Sequence, residues 1–204
     1  MENMINTHLK DFISGYSIEV IPKTVAKIDS FGDILPKSTR VYLAHLKDED
    51  IAQMVAAAKR LSHEGFTVMP HIPARVIKNQ AMLSDWLSMY QNEAGVDEAL
   101  LLAGGSNEPK GDYDSSIQLI ESGLFDKAGF KRLHIAGHPD GNKDIDPGGG
   151  IKNVSEALSW KQEFFKRTDA KMAITTQFCF DANVVKKWAD DIKEGGIDIP
   201  IHIG

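Results

Sequence analysis

Apolar runs recur along this chain at intervals of about 30 residues with a helical pattern between them, and no other feature limits its fold as strongly. The runs are residues 17–22 (SIEVIP), 40–45 (RVYLAH), 67–71 (TVMPH), 99–103 (ALLLA), 132–136 (RLHIA), 171–177 (KMAITTQ) and 199–204 (IPIHIG). Each is rich in β-branched or large apolar residues and lacks strict alternation, the pattern of a strand covered on both faces. The segments between them repeat apolar residues at spacings of three and four. Residues 48–64 carry Ile51, Met54, Val55, Ala58 and Leu61, and residues 79–94 carry Met82, Trp86, Leu87 and Tyr90. Residues 115–122, 154–167 and 182–194 follow the same rule, the last with Val184, Val185, Trp188 and Ile192. Glycine closes several of them, at Gly65, Gly95, Gly123 and Gly195.

Strand–helix alternation of this kind predicts parallel strands joined by helical crossovers, in a barrel or a doubly wound sheet. A dinucleotide-binding sheet would carry G-x-G-x-x-G straight after its first strand, whereas this strand runs into Ile21-Pro22-Lys23. The expectation is therefore α/β: a (β/α)8 TIM-type barrel, one domain over residues 1–204, truncated after strand 7 with its C-terminal strand and helix missing.

With 42% hydrophobic and 25% charged residues the composition is that of a soluble globular protein. A net charge of -6 argues against nucleic acid, whose phosphates need clustered Lys and Arg. Cys179 is the single cysteine, residues 1–15 hold Glu2, Lys10 and Asp11 without an apolar stretch, and no apolar run approaches a membrane span. The expected protein is cytoplasmic, without nucleic-acid or membrane partners, and a possible homo-oligomer.

In a parallel barrel, chemistry gathers at the C-terminal strand ends. Those ends offer Glu19, His45, His71 with Arg75, the stretch Gly104-Gly105-Ser106-Asn107, His134 with His138, and Thr175-Thr176-Gln177. Glu19 is flanked by Ile18, Val20 and Ile21. If buried there, it is either a general acid with a raised pKa or a carboxylate satisfied by a nearby Lys or Arg. Gln177 carries a donor pair and an acceptor suited to the edge of a heterocycle, and Phe178 and Phe180 offer rings for stacking or for plain packing. His71, His134 and His138 at one mouth would suit either a metal or hydrogen bonds to loops and a cofactor. The polar, glycine-rich residues 140–150 (DGNKDIDPGGG) read as a mobile lid or an insertion.

Taken in order, these segments resemble the methylenetetrahydrofolate reductase family. The resemblance rests on Glu19-Val20-Ile21-Pro22, Pro70-His71, Gly104-Gly105, Gly137-His138-Pro139-Asp140-Gly141, Leu158 to Lys161, Thr176-Gln177-Phe178-Cys179-Phe180-Asp181 and Ile199-Pro200-Ile201-His202-Ile203-Gly204. It spans nearly the whole chain. It implies a (β/α)8 flavoprotein of one-carbon metabolism and methionine biosynthesis. Such an enzyme holds FAD, takes electrons from NADH or NADPH, and reduces 5,10-methylenetetrahydrofolate to 5-methyltetrahydrofolate. Glu19 would then be the general acid that opens the methylene bridge. Gln177 and Phe178 would bind the folate. Cofactor contacts would come from His71, Gly105, Ser106, His134, His138 and Lys161, with His138 and Lys161 near the ribose and phosphates and His134 where the family has a flavin-stacking Tyr. The chain departs from the family after strand 4, where Gly104-Gly105-Ser106 stands for Arg-Gly-Asp, and after strand 2, where Ala44-His45-Leu46 replaces Thr-Tyr-Gly. Two other readings fit the residues: a metal-dependent barrel hydrolase using His71, His134 and His138, and a non-catalytic folate- or flavin-binding protein.

Overall fold

The computed structural model describes residue 10, residues 13–46 and residues 48–204, so most of the N-terminal segment read above lies outside the described residues. Strand β1 (Ser17–Val20) leads into a single helical turn, α1 (Pro22–Val25), which begins on the fixed φ of Pro22. Strand β2 (Arg40–Leu43) precedes helix α2 (Ile51–His63), started by the Asp50 carboxylate accepting from the Ala52 N–H at 3.1 Å. Then come β3 (Thr67–Pro73), α3 (Gln80–Ala94) and β4 (Glu98–Leu102). Two short helices follow, α4 (Ser116–Glu121) and α5 (Leu124–Ala128), the second set between glycines in the left-handed region at Gly123 and Gly129. The chain continues through β5 (Arg132–Gly137), α6 (Lys152–Phe165), β6 (Lys171–Thr176), α7 (Ala182–Glu194) and β7 (Ile201–His202). Every strand and long helix expected from the sequence is present. The helical turns α1 and α5 were not expected, being too short to show a period.

The strands form one seven-stranded sheet in the order β1-β2-β3-β4-β5-β6-β7, and every pair is parallel. Each crossover steps to the next strand in the same direction. A doubly wound sheet has a point where that direction reverses, so this topology is singly wound, as barrels are. No helix among the described residues is long and apolar enough to cross a membrane.

The chain divides into two compact units. The first comprises Met1–Pro70 and Met89–Val96. Phe31 is buried there, 1% exposed, and its ring meets Phe66 edge-on at 6.2 Å. Glu64 ties the loop to α2 by accepting from the Phe31 N–H at 2.7 Å and pairing with Arg60 at 3.0 Å, while Arg60 also donates to the carbonyls of Val25 and Ile28. Buried backbone carbonyls are expensive to leave bare, and one guanidinium serves two of them.

The second unit comprises His71–Ser88 and Asp97–Gly204. Its strands have two chemically distinct faces. Gly137 marks one: a Cβ there would lie 3.0 Å from the Trp188 ring of α7 and 2.5 Å from Ile174 Cγ2. Leu133, Ile135, Met172, Ile174 and Ile201 share that face by alternation and register, all against the helices. Crossovers that advance one way and turn right-handed put their helices on a single face. The opposite face, free of helices, carries His71, Leu100, Leu102, His134, Ala136, Ala173, Thr175 and His202.

Candidate functional site

On the helix-free face of the second unit, polar side chains sit in register where an all-apolar set would pack. His71 of β3 pairs with Leu100, and Leu100 pairs with His134, so the two imidazoles occupy one row with a leucine between them. His134 has no exposed surface. Its Nδ1 lies 3.2 Å from the Thr175 hydroxyl, which fixes the turn of the ring. The His202 ring stands perpendicular to that of His134, at 87° and 4.9 Å between centroids. The sequence reading gave His202 no role. Its partnership comes from the pairing of Thr175 with His202 between β6 and β7, a register that no local pattern shows.

The C-terminal end of β5 opens into His138, and behind it lies Lys161 of α6. Lys161 is 8% exposed, and its ammonium has no hydrogen bond or ion pair among the described residues. Burial pulls its pKa from 10.5 down to about 8. His138 is held below its ordinary value, first by its own burial and then by the Lys161 charge. A buried cation normally meets a carboxylate; this one meets an imidazole. The arrangement is a buried positive charge that a bound anion would relieve.

The segment between β5 and α6 is folded onto its own hydrogen bonds. The Asn142 side-chain oxygen accepts from the Asp144 N–H at 2.9 Å, and the Asn142 carbonyl accepts from the Asp146 N–H at 2.8 Å. Asp146 is buried and receives the N–H groups of Asn153 at 2.9 Å and Val154 at 3.1 Å, in the first turn of α6. What reads as a low-complexity lid is thus a closed loop that ties His138 to the helix carrying Lys161. Asp146 went unnoticed because its partners are backbone groups.

After β4, Gly104 takes φ +95°, and a Cβ at that position would sit 2.9 Å from Pro73 Cβ. An arginine at 104, usual in the family that the sequence resembles, has no room on this backbone. Gly105, by contrast, is exposed with open space around it, so no packing demand explains that glycine. The guanidinium comes instead from β3's end. Arg75 pairs with Asp114 at 2.6 Å and donates to the Ser106 carbonyl at 3.1 Å, pinning both ends of the loop. Ser106 itself is half-buried.

Gln177 is exposed and its backbone N–H donates to the Gly137 carbonyl at 2.8 Å, which carries the β5–β6 pairing one residue past the strand. Phe178 is 64% exposed and Phe180 94%, their rings edge to face at 4.5 Å. Neither aromatic packs into the core, so packing does not account for them. Glu19, in the first unit, is exposed. The expectation of a carboxylate desolvated inside an apolar strand is therefore corrected: β1 is the edge strand, and the apolar neighbours of Glu19 in sequence do not enclose it. Among the described residues no three His, Cys, Asp or Glu side chains come together as metal ligands, and His71, His134 and His138 do not form such a set. No protein-family model matches the chain.

Proposed function

We propose that this chain is a flavin-dependent reductase of the methylenetetrahydrofolate reductase kind, built on a (β/α)8 barrel, that uses NADH or NADPH to reduce 5,10-methylenetetrahydrofolate to 5-methyltetrahydrofolate. The observation that carries the reading is Lys161, a buried ammonium beside His138 without an anionic partner among the described residues. A diphosphate supplies the missing charge, and the sequence resemblance assigns these two residues to the phosphates and ribose of FAD. The half-buried imidazole of His71 on the helix-free face and the Gly105-Ser106 backbone support the remainder of the group, with the fully buried His134 reaching it only as packing beneath. FAD, when bound, supplies two-electron redox chemistry that no side chain offers.

The residues divide the work. Lys161 and His138 bind and orient by charge. Gln177 reads the polar edge of the pterin through its carboxamide, and the exposed Phe178 ring gives it a stacking surface. Glu19 gives its proton to a bridge nitrogen as the carbon–nitrogen bond of the methylene bridge opens. Because Glu19 is exposed in the free chain, the bound folate itself has to exclude water from that carboxyl and hold the proton on it.

The test is the visible absorption spectrum of the purified protein reconstituted with FAD, followed by oxidation of NADH with menadione as electron acceptor. Lys161→Met is expected to lose FAD, and Glu19→Gln to keep flavin reduction by NADH while losing folate turnover. A protein that takes up no flavin and oxidises no NADH would end this reading. No observation favours the metal-dependent hydrolase.

A further inference from the structure

Among the helices of the second unit lies a cavity of about 300 Å³ that the reading above does not use. Helices α4 and α5 supply one wall, and the end of α6 with the turn after it supplies the other. Trp160 and Phe164 are four positions apart on α6, so they share one flank of it. Their rings are parallel to within 3°, with centroids 6.1 Å apart. One of the two already carries a cation: the Arg167 guanidinium carbon stands 5.7 Å over the Phe164 ring. An indole attracts a cation more strongly than a phenyl ring does. Yet Trp160, half-buried at the same cavity, carries none among the described residues.

The opposite wall is acidic. Glu121 ends α4, Asp126 lies in the first turn of α5, and both are exposed. Neither carboxylate has an ion pair among the described residues. Helix stability does not account for Glu121, because a carboxylate at the carbonyl end of a helix is unfavourably placed. Arg167 lines the same cavity but stays on the phenyl ring instead of joining the acids. Two carboxylates against one guanidinium leave one negative charge, which a ligand with one positive charge balances. The aromatic wall narrows the choice further. An alkylated ammonium spreads its charge over methyl groups and gives up little hydration on meeting a ring, whereas a primary ammonium holds its water strongly.

We propose that this cavity is a binding site for a small alkylated ammonium ion, seated on the Trp160 ring and balanced by Glu121 and Asp126. None of its lining residues belongs to the flavin-directed site, so the two stand or fall separately.

The test titrates three probes into the full chain: choline, its neutral analogue dimethylbutanol, in which carbon replaces the ammonium nitrogen, and Nα-acetyllysine amide. Binding is read by calorimetry and by the indole N–H NMR signal of Trp160. Trp86 and Trp188 are buried, so the Trp160 signal is the one expected to move. Choline is expected to bind with a Kd on the order of 1 mM, and more weakly as salt rises. The alcohol and the primary ammonium should bind about tenfold more weakly, the first for want of charge and the second for its hydration. Trp160→Leu should weaken choline by about tenfold, and Glu121→Gln and Asp126→Asn by about threefold each. Trp160→Phe keeps a ring and should hold most of the affinity, and the two amide variants leave the core untouched, so the result does not hang on a variant that fails to fold. Choline binding no more tightly than the alcohol would reduce the cavity to an apolar gap and overturn the site, as would no binding, or binding that leaves the Trp160 signal unmoved. An acetyllysine amide that binds as tightly as choline would overturn it too, by making a protein side chain the occupant.

Discussion

The two ends of strand β5 handle charge in opposite ways. At the N-terminal end Arg132 faces Glu98 across the β4–β5 ladder at 3.1 Å, with both side chains largely covered. At the C-terminal end His138 faces Lys161, a second potential cation, and no carboxylate among the described residues pairs with that ammonium. The distance between these ends is only the length of a six-residue strand, so the difference is one of purpose rather than of neighbourhood. Matched charge at the lower end of a parallel sheet holds the strands together. Unmatched buried charge at the upper end costs stability, and the proposed anion would remove that cost. The anion proposed above would supply the charge that the described residues do not.

The comparison breaks first at the matched end. Glu98→Ala strands a largely covered guanidinium and is expected to destabilise the fold by roughly 3 kcal/mol or more, measured by urea denaturation, while leaving pyrophosphate affinity untouched. The unmatched end should answer with the opposite sign. Lys161→Met is expected to stabilise the ligand-free protein at neutral pH by an amount on the order of 3 kcal/mol, less whatever the new side chain loses in packing. A Lys161→Met variant that melts below the unaltered chain would mean that the ammonium has a counter-charge after all.

The same residue sets a pH signature. The pKa of Lys161 is lower folded, at about 8, than its ordinary 10.5. The penalty is therefore complete below about pH 8 and fades as pH rises toward 10.5. The stability advantage of Lys161→Met should fade over that same range. Pyrophosphate affinity should run the other way, falling above about pH 8 as the ammonium loses its proton. On the acid side, below the ordinary histidine value of 6.5, affinity should rise further as His138 takes up a proton, its pKa being held down by burial and by the Lys161 charge. Calorimetric titrations from pH 5 to pH 10 would show whether the profile has these two limbs.

Smaller effects sharpen the picture at the neighbouring strand end. Gly104→Ala meets both a left-handed φ and Pro73 Cβ, and should cost about 1–2 kcal/mol by thermal denaturation. Arg75→Lys keeps the charge but loses the forked contact with Asp114 and Ser106, an exposed arrangement worth under about 1 kcal/mol. Its effect should appear as faster hydrogen exchange in the 103–115 loop rather than as a lower melting temperature.

The strands were legible because parallel strands covered on both faces must be apolar throughout, and the crossover helices because their stripes repeat every three or four residues. The same logic misread Glu19, since an apolar run says nothing about which strand ends the sheet. Lys161 was half legible. It follows Leu158 by three positions and so falls on the covered stripe of α6, yet only the fold reveals that no carboxylate among the described residues meets it. The contact of His134 with His202 was out of reach, because it joins strands 68 positions apart through a register set by backbone pairing. Asp146 was hidden differently: an acid in a glycine-rich stretch reads as solvated, and its two backbone partners lie seven and eight positions downstream.

Those two hydrogen bonds have a further consequence. With Asp146 holding the N–H groups of Asn153 and Val154, residues 146–154 close into a ring, and the turns at His138 and Asn142 join it to the end of β5. Such a ring can be transplanted. Cut out whole and grafted between a strand and a helix of a comparable scaffold, it would bring its shape along, whereas a single residue added inside it would pull imidazole and helix out of step.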